Sequence, residues 1–125
     1  MAGEETAQKR PVVLIVEDEP LVLLNASEMI EAAGYETIRA SSADEAIAIL
    51  TARNDIRIVF TDIEMPGSMD GLKLARLVRE KWPPVELIVT SGKRWPSPAE
   101  LPERGAFIGK PYTDRELNGA LRRFA

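Results

Sequence analysis

Short apolar runs alternate with longer segments of helical periodicity along most of the sequence. The first run, Val-Val-Leu-Ile-Val at 12–16, is typical of a strand buried on both faces. The pattern predicts strands at 12–16, 35–39, 56–61, 85–90 and 106–109. It predicts helices at 20–33, 42–53, 71–82 and 113–124. Strands that alternate with helices in this way indicate a parallel α/β sheet, covered by helices on both faces and connected by right-handed crossovers.

One helix is missing from this alternation. Between the fourth and fifth predicted strands the chain reads Trp95-Pro96-Ser97-Pro98-Ala99-Glu100-Leu101-Pro102. Proline lacks the backbone donor and clashes with the preceding turn, so three prolines in seven residues support at most one turn of helix. We therefore expect a loop where the fourth helix is due.

The composition narrows the possible chemistry. The length of 125 residues suits one domain, which we place at 11–125 behind a disordered tail at 1–10. The sequence contains no cysteine and no histidine, which excludes disulfides, thiol nucleophiles, imidazole bases and the usual zinc sites. A bound metal must then be held by oxygen ligands, as magnesium, calcium and manganese are.

Charge and hydropathy argue against two kinds of partner. The chain has 16 Lys and Arg against 20 Asp and Glu, a formal net charge of −4. Nucleic acids and anionic membranes reward clustered positive charge instead. No apolar run approaches the length that spans a membrane. We expect neither nucleic acid nor membrane as a partner, and predict a cytoplasmic protein.

Charged and hydroxyl side chains stand at the predicted carboxyl ends of the strands, the edge where open parallel sheets bind ligands. They are Glu17, Asp18, Asp62, Glu64, Thr90 and Lys110. Two carboxylates about 5 Å apart repel by roughly 3 kcal/mol at an effective dielectric near 20, so the cluster needs a divalent cation and a lysine to balance it. Magnesium is the expected cation, and Asp62 beside it could accept a phosphoryl group.

Four motifs resemble those of the receiver domain of two-component response regulators. They are Val16-Glu17-Asp18-Glu19, Phe60-Thr61-Asp62-Ile63-Glu64-Met65-Pro66 with Asp70-Gly71, Val89-Thr90-Ser91, and Gly109-Lys110-Pro111. The resemblance extends from Pro11 to Phe124. It implies a flavodoxin-like, doubly wound sheet of five parallel strands in the order 2-1-3-4-5. It also implies a stand-alone, CheY-like domain, here with a fourth helix that is short or replaced by a loop.

The resemblance implies roles for the acidic residues. Asp62 is similar to the phospho-accepting aspartate, and Asp18 to a direct magnesium ligand. Glu17 resembles the acid that supports that ligand, although aspartate is often found at its position. Glu64 would offer its backbone carbonyl to the metal.

Further roles concern the response to phosphorylation. Thr90 resembles the hydroxyl that captures a phosphoryl oxygen, and Lys110 the cation that pairs with another. Phe107 stands where the family keeps an aromatic switch that turns inward as Thr90 moves. The resemblance also implies a cis peptide between Lys110 and Pro111.

The function implied is that of a magnesium-dependent receiver. A histidine kinase or histidine phosphotransfer protein would supply phosphohistidine, Asp62 would take the phosphoryl group, and a switched surface would bind an output protein. The chain would then be no enzyme beyond transfer to Asp62 and its autodephosphorylation. Two alternatives stay open. One is a phosphorylation-independent module on the same fold, motivated by the missing helix. The other is a phosphatase similar to the haloacid dehalogenases, with Asp62 as nucleophile and Glu64 as second acid.

Two other features depart from a minimal pattern. Gly67-Ser68-Met69 makes the loop after Pro66 one residue longer than in many receivers. Leu21, Leu23 and Leu24 widen the apolar side of the first predicted helix, either as additional core or as an exposed docking patch.

Overall fold

The computed structural model describes residues 10–124. The strands are β1 (Val12–Val16), β2 (Glu36–Ala40), β3 (Ile56–Asp62), β4 (Glu86–Ser91) and β5 (Gly105–Gly109). The helices are α1 (Pro20–Ala32), α2 (Ala43–Ala52), α3 (Gly71–Lys81) and α4 (Asp114–Arg122). Every predicted element is present, with ends displaced by one or two residues. The tail predicted at 1–10 lies outside the described residues except for Arg10, and the domain boundary at 11 stays a prediction.

The five strands form one parallel sheet in the order β2-β1-β3-β4-β5, which confirms the predicted topology. β1, β3 and β4 lie in the middle and are almost completely buried, because their residues are apolar on both faces. The pairing places Asp62 beside Thr90 and Ser91 beside Gly109. The carboxyl ends of β1, β3, β4 and β5, the four strands that carry or directly precede candidate site residues, therefore meet at one edge.

Each face of the sheet has its own core, because successive strand residues point to opposite sides. On one face Leu14, Val59 and Leu87 pack with Leu50 of α2 and Leu74 of α3. On the other face the strands pack against α1 and α4, through a cluster that includes Val13, Ile15, Ile58, Phe60, Ile88, Ile30, Leu117 and Leu121. The sheet is thus covered on both sides, as predicted.

Residues 92–104, which we call the 92–104 loop, contain no helix, as the prolines predicted. The loop lies against α3 through its backbone: Arg76 Nη2 donates to the Glu100 carbonyl at 3.0 Å and Arg79 Nε to the Glu103 carbonyl at 2.9 Å. Leu101 packs against the core on that face. Two arginines and one leucine thus hold in place a segment that has no helical hydrogen bonds of its own.

The apolar side of α1 is split between core and surface. Leu23 packs against the core, whereas Leu21 is 80% and Leu24 40% exposed. Within residues 10–124, no helix is long and apolar enough to cross a membrane.

We expect Leu87→Ala to lower the free energy of unfolding by about 2–5 kcal/mol, because Leu87 is fully buried in the central strand β4 and its loss leaves a cavity. Urea denaturation followed by circular dichroism measures this change. Leu21→Ala is the matched control and should shift stability by less than about 0.5 kcal/mol. Equal losses in the two variants would contradict the packing described here.

Candidate functional site

Three carboxylates meet at the carboxyl edge of the sheet. Glu17 and Asp18 directly follow β1, and Asp62 is the last residue of the adjacent β3. One carboxylate oxygen from each lies within 4.8 Å of the others. Glu17 and Asp62 are buried, with 4% and 5% exposure, whereas Asp18 is half-buried. The arrangement provides a small oxygen-lined site that is partly open to solvent.

Lys110 joins two of these acids. Its Nζ lies 3.0 Å from Glu17 Oε1 and 3.3 Å from Asp62 Oδ1. The lysine directly follows β5, and its amide donates to the Ser91 carbonyl at 2.9 Å. Glu17 is held from its other oxygen, which accepts the Glu19 amide at 3.1 Å. Lys110, which the sequence places at the same edge as the acids, therefore lies beside both Glu17 and Asp62.

The pKa of Asp62 lies above its usual value. Burial raises it, the charge of Glu17 raises it further, and Lys110 offsets part of the rise, which leaves a pKa of about 6. Burial acts to lower the pKa of Lys110, but its hydrogen bond to Glu17 and the charges of Asp62 and Glu17 outweigh burial and raise it. One ammonium does not neutralise the carboxylates around it, so the site favours an additional cation.

Among residues 10–124, two buried polar atoms at this edge have no hydrogen-bond partner. They are Asp62 Oδ1, whose ion pair with Lys110 does not meet hydrogen-bond geometry, and Thr90 Oγ1. Because buried polar atoms are nearly always hydrogen-bonded, both are positions at which a ligand atom is expected. An unsatisfied carboxylate oxygen beside two further carboxylates fits a hard divalent cation such as magnesium. An unsatisfied hydroxyl on the neighbouring strand fits an anionic oxygen.

Glu64 is directed to a different partner. Its Oε2 accepts a hydrogen bond from Ser91 Oγ at 2.6 Å. Ser91 Oγ in turn accepts from the amides of Lys93 at 3.0 Å and Arg94 at 3.1 Å. The predicted contribution of the Glu64 backbone carbonyl to a metal site stays a prediction. The hydrogen bonds of Ser91 were not predicted from the sequence, in which only its position at a strand end, next to Thr90, marks it out.

Asp70 and Gly71 explain how α3 supports Asp62. The Asp70 side chain caps the helix by accepting the Lys73 amide at 2.9 Å. A side chain at Gly71 would place its Cβ 1.9 Å from the Asp62 carbonyl oxygen. The helix can therefore begin directly against the backbone of Asp62 only because residue 71 is glycine.

Phe107 is half-buried on β5 and packs against the core on the α2 and α3 side. Its ring meets that of Trp95 edge to face, with centroids 5.0 Å apart. The peptide between Lys110 and Pro111 is cis, as the resemblance implied. The predicted switching of Phe107 stays a prediction.

The chain belongs to the response regulator receiver domain family, which it matches over residues 13–122. It is 35% identical over 109 residues to the nitrogen assimilation regulatory protein NtrX of Azorhizobium caulinodans, covering 84% of this chain and 24% of NtrX. It is 35% identical over 107 residues to the heme response regulator HssR of Staphylococcus saprophyticus, covering 83% of this chain and 46% of HssR. The chain thus spans less than half the length of either relative.

Solved receivers have the same fold. A response regulator receiver protein from Sinorhizobium medicae superposes with a TM-score of 0.80 at 28% identity, over 92% of this chain and 94% of that one. The response regulator protein TrrA from Thermotoga maritima, in complex with Mg(2+)-BeF, superposes with a TM-score of 0.79 at 25% identity, over 91% and 98% of the two chains.

We expect Asp62→Asn to stabilise the magnesium-free protein by about 2 kcal/mol at pH 7.5. The pKa of Asp62 is raised to about 6 by folding, so its ionisation opposes folding above pH 6. This penalty decreases as the pH falls from about 6 and vanishes below about 4, where the carboxyl is protonated in both states. Urea denaturation of both proteins in EDTA at pH 7.5, 6 and 4.5 measures the difference. A gain in stability that is the same at every pH would show that the ionisation of Asp62 is not its cause.

Proposed function

We propose that the chain is a phospho-accepting receiver of a two-component system, in which phosphohistidine of a partner transfers its phosphoryl group to Asp62. The observation that carries the proposal is the joining of Glu17 and Asp62 by Lys110 inside a three-carboxylate site. Membership of the receiver family supports it. The Mg(2+)-BeF complex of TrrA supports magnesium as the metal.

The residues divide the chemistry between them. A carboxylate oxygen of Asp62 attacks phosphorus, a P–O bond forms, and the P–N bond breaks with its electron pair left on the donor imidazole. Asp62 must be ionised to attack, and a pKa of about 6 leaves it mostly so at neutral pH. Lys110, already beside Asp62, stabilises negative charge on the transferring oxygens. Magnesium held by Asp18, Asp62 and Glu17, with the Glu64 carbonyl, would supply further charge stabilisation.

The response to phosphorylation begins at Thr90. Its buried Oγ1 has no hydrogen-bond partner, so a phosphoryl oxygen on the adjacent Asp62 would give it one. Movement of Thr90 would be felt by Phe107, which pairs with Val89, the residue directly before Thr90 on β4. The output is then a change in the surface around β5, read by another protein.

The partners follow from this chemistry. The phosphoryl donor is a histidine kinase or histidine phosphotransfer protein, because the chain has no histidine of its own. The chain acts on its own Asp62 and turns over no separate substrate, so we do not class it as an enzyme. The cytoplasmic location stays a prediction.

The module alternative rests on the absence of a helix in the 92–104 loop. The gathered carboxylates argue against it, since a module without phosphoryl chemistry has no need of buried, mutually repelling acids. The phosphatase alternative needs Glu64 as a second acid near Asp62. The Glu64 side chain instead accepts a hydrogen bond from Ser91 and is not one of the three clustered carboxylates, which argues against this alternative. Sustained turnover of a phosphoester would favour that alternative over ours.

Incubation with acetyl phosphate and magnesium should add one phosphoryl mass, measured by intact-protein mass spectrometry. Asp62→Asn and EDTA should each abolish the addition, because they remove the nucleophile and the metal. Asp114→Asn, an exposed residue in the first turn of α4, is the matched control and should be labelled like the wild type. Labelling that survives Asp62→Asn would refute the proposal, and an unlabelled wild type would favour the module.

Thr90→Ala should leave labelling within about threefold of the wild type but abolish the conformational response. Thr90 Oγ1 makes no hydrogen bond in the resting protein, so its removal costs little before phosphorylation. The response is measured as the fluorescence of Trp95 in a Trp82→Phe background on addition of magnesium and beryllofluoride. Thr90→Ser keeps the hydroxyl and should keep the response. A full fluorescence response in Thr90→Ala would show that the response to phosphorylation does not begin at Thr90.

A further inference from the structure

β5, which Lys110 directly follows, is one of the two edge strands of the sheet. It is hydrogen-bonded only to β4. Of its five residues only Ala106 is buried. In this chain the segment that precedes it is the 92–104 loop rather than a helix. An edge strand has a neighbouring strand on one side only, so contacts from the loop beside it also bear on the position of a side chain at its end.

Trp95 supplies such a contact. Its ring lies directly on Gly109, where a Cβ would stand only 2.8 Å from Trp95 Cζ2. The same ring meets Phe107 edge to face at 5.0 Å, a favourable arrangement of two aromatic rings. Trp95 is nevertheless 78% exposed, so the contact serves β5 and not the core. The indole thus spans residues 107 and 109, immediately before Lys110.

The loop around Trp95 is itself fixed. Glu100 forms an ion pair with Arg94 and accepts the Ser97 amide at 2.9 Å. Its carbonyl accepts from Arg76 of α3 at 3.0 Å. Trp95 lies between Arg94 and Ser97 in the sequence. The hydrogen bonds of Glu100 therefore connect the backbone around Trp95 to α3, a helix that packs on the central strands.

We propose that Trp95 is a positioning residue for Lys110: packed across Gly109 and Phe107, it holds the end of β5 so that the ammonium stands opposite Asp62. The inference rests on the proposed function, since Lys110 is the group that must meet the phosphoryl oxygens. The 92–104 loop, which stands where a helix was expected, would then hold the end of β5 through Trp95.

The test measures the affinity of the whole chain for beryllofluoride in excess magnesium by isothermal titration calorimetry. Trp95→Ala should weaken this affinity by about threefold to tenfold, whereas Trp95→Phe keeps an aromatic ring and should stay within about twofold. Trp82→Phe changes the other tryptophan, at the C-terminal end of α3, and should have no effect.

A double-mutant cycle separates positioning from general stability. Gly109→Ala should weaken binding like Trp95→Ala, because its methyl group displaces the Trp95 ring, whose atoms are the three nearest to it. In the Trp95→Ala background the same methyl group should have no effect. In a Lys110→Ala background Trp95→Ala should cost nothing further, since its effect passes through the ammonium.

A measurement without metal checks the contact itself. In magnesium-free protein the Gly109 Hα resonances should show a ring-current shift that Trp95→Ala removes and Trp82→Phe leaves in place. Unchanged affinity in Trp95→Ala, an equal loss in the Lys110→Ala background, or the absence of this ring-current shift would each refute the inference. A wild type that binds no beryllofluoride would refute the proposed function as well. A wild type that binds while Trp95→Ala binds equally well refutes the positioning role alone.

Discussion

The site depends on three carboxylates that the fold gathers beside a single ammonium group. Lys110 lies against two buried carboxylates, yet the pKa of Asp62 is still raised by burial and by Glu17. Ionisation of the buried Asp62 therefore opposes folding of the magnesium-free protein above pH 6, and the excess of carboxylates over ammonium groups attracts a divalent cation. Among the described residues, Asp62 Oδ1 also has no hydrogen-bond partner. Stability is thus reduced at the place where the chemistry occurs.

The sheet positions these charged groups, but the strands that position them are not equally buried. β1, β3 and β4 are buried on both faces and carry the acids and Thr90. β5, at the edge, carries the lysine. If Trp95 positions Lys110 as we propose, an exposed tryptophan adds the support that an edge strand lacks. The 92–104 loop then helps to place the ammonium group opposite Asp62.

Most of the fold could be predicted because its determinants are local. The valine-rich run at 12–16 and the prolines of the 92–104 loop each act within a few residues, and the structure confirms both the strand and the absence of a helix in that loop. The location of the site could also be predicted, because the carboxyl ends of parallel strands lie at the same edge of a sheet. The Ser91–Glu64 hydrogen bond and the contact of Trp95 with Gly109 could not be predicted in the same way, since they join residues 27 and 14 positions apart.

The sequence alone determined which groups are available: oxygen ligands without histidine or cysteine, one lysine after the last strand, and a proline-rich segment that cannot be helical. Only the tertiary structure decided how far each carboxylate is buried, which acid Lys110 meets at 3.0 Å and which at 3.3 Å, and that Glu64 binds Ser91. The physical reason is that residue types fix possible interactions, whereas desolvation and distance arise only when strands distant in sequence are packed side by side.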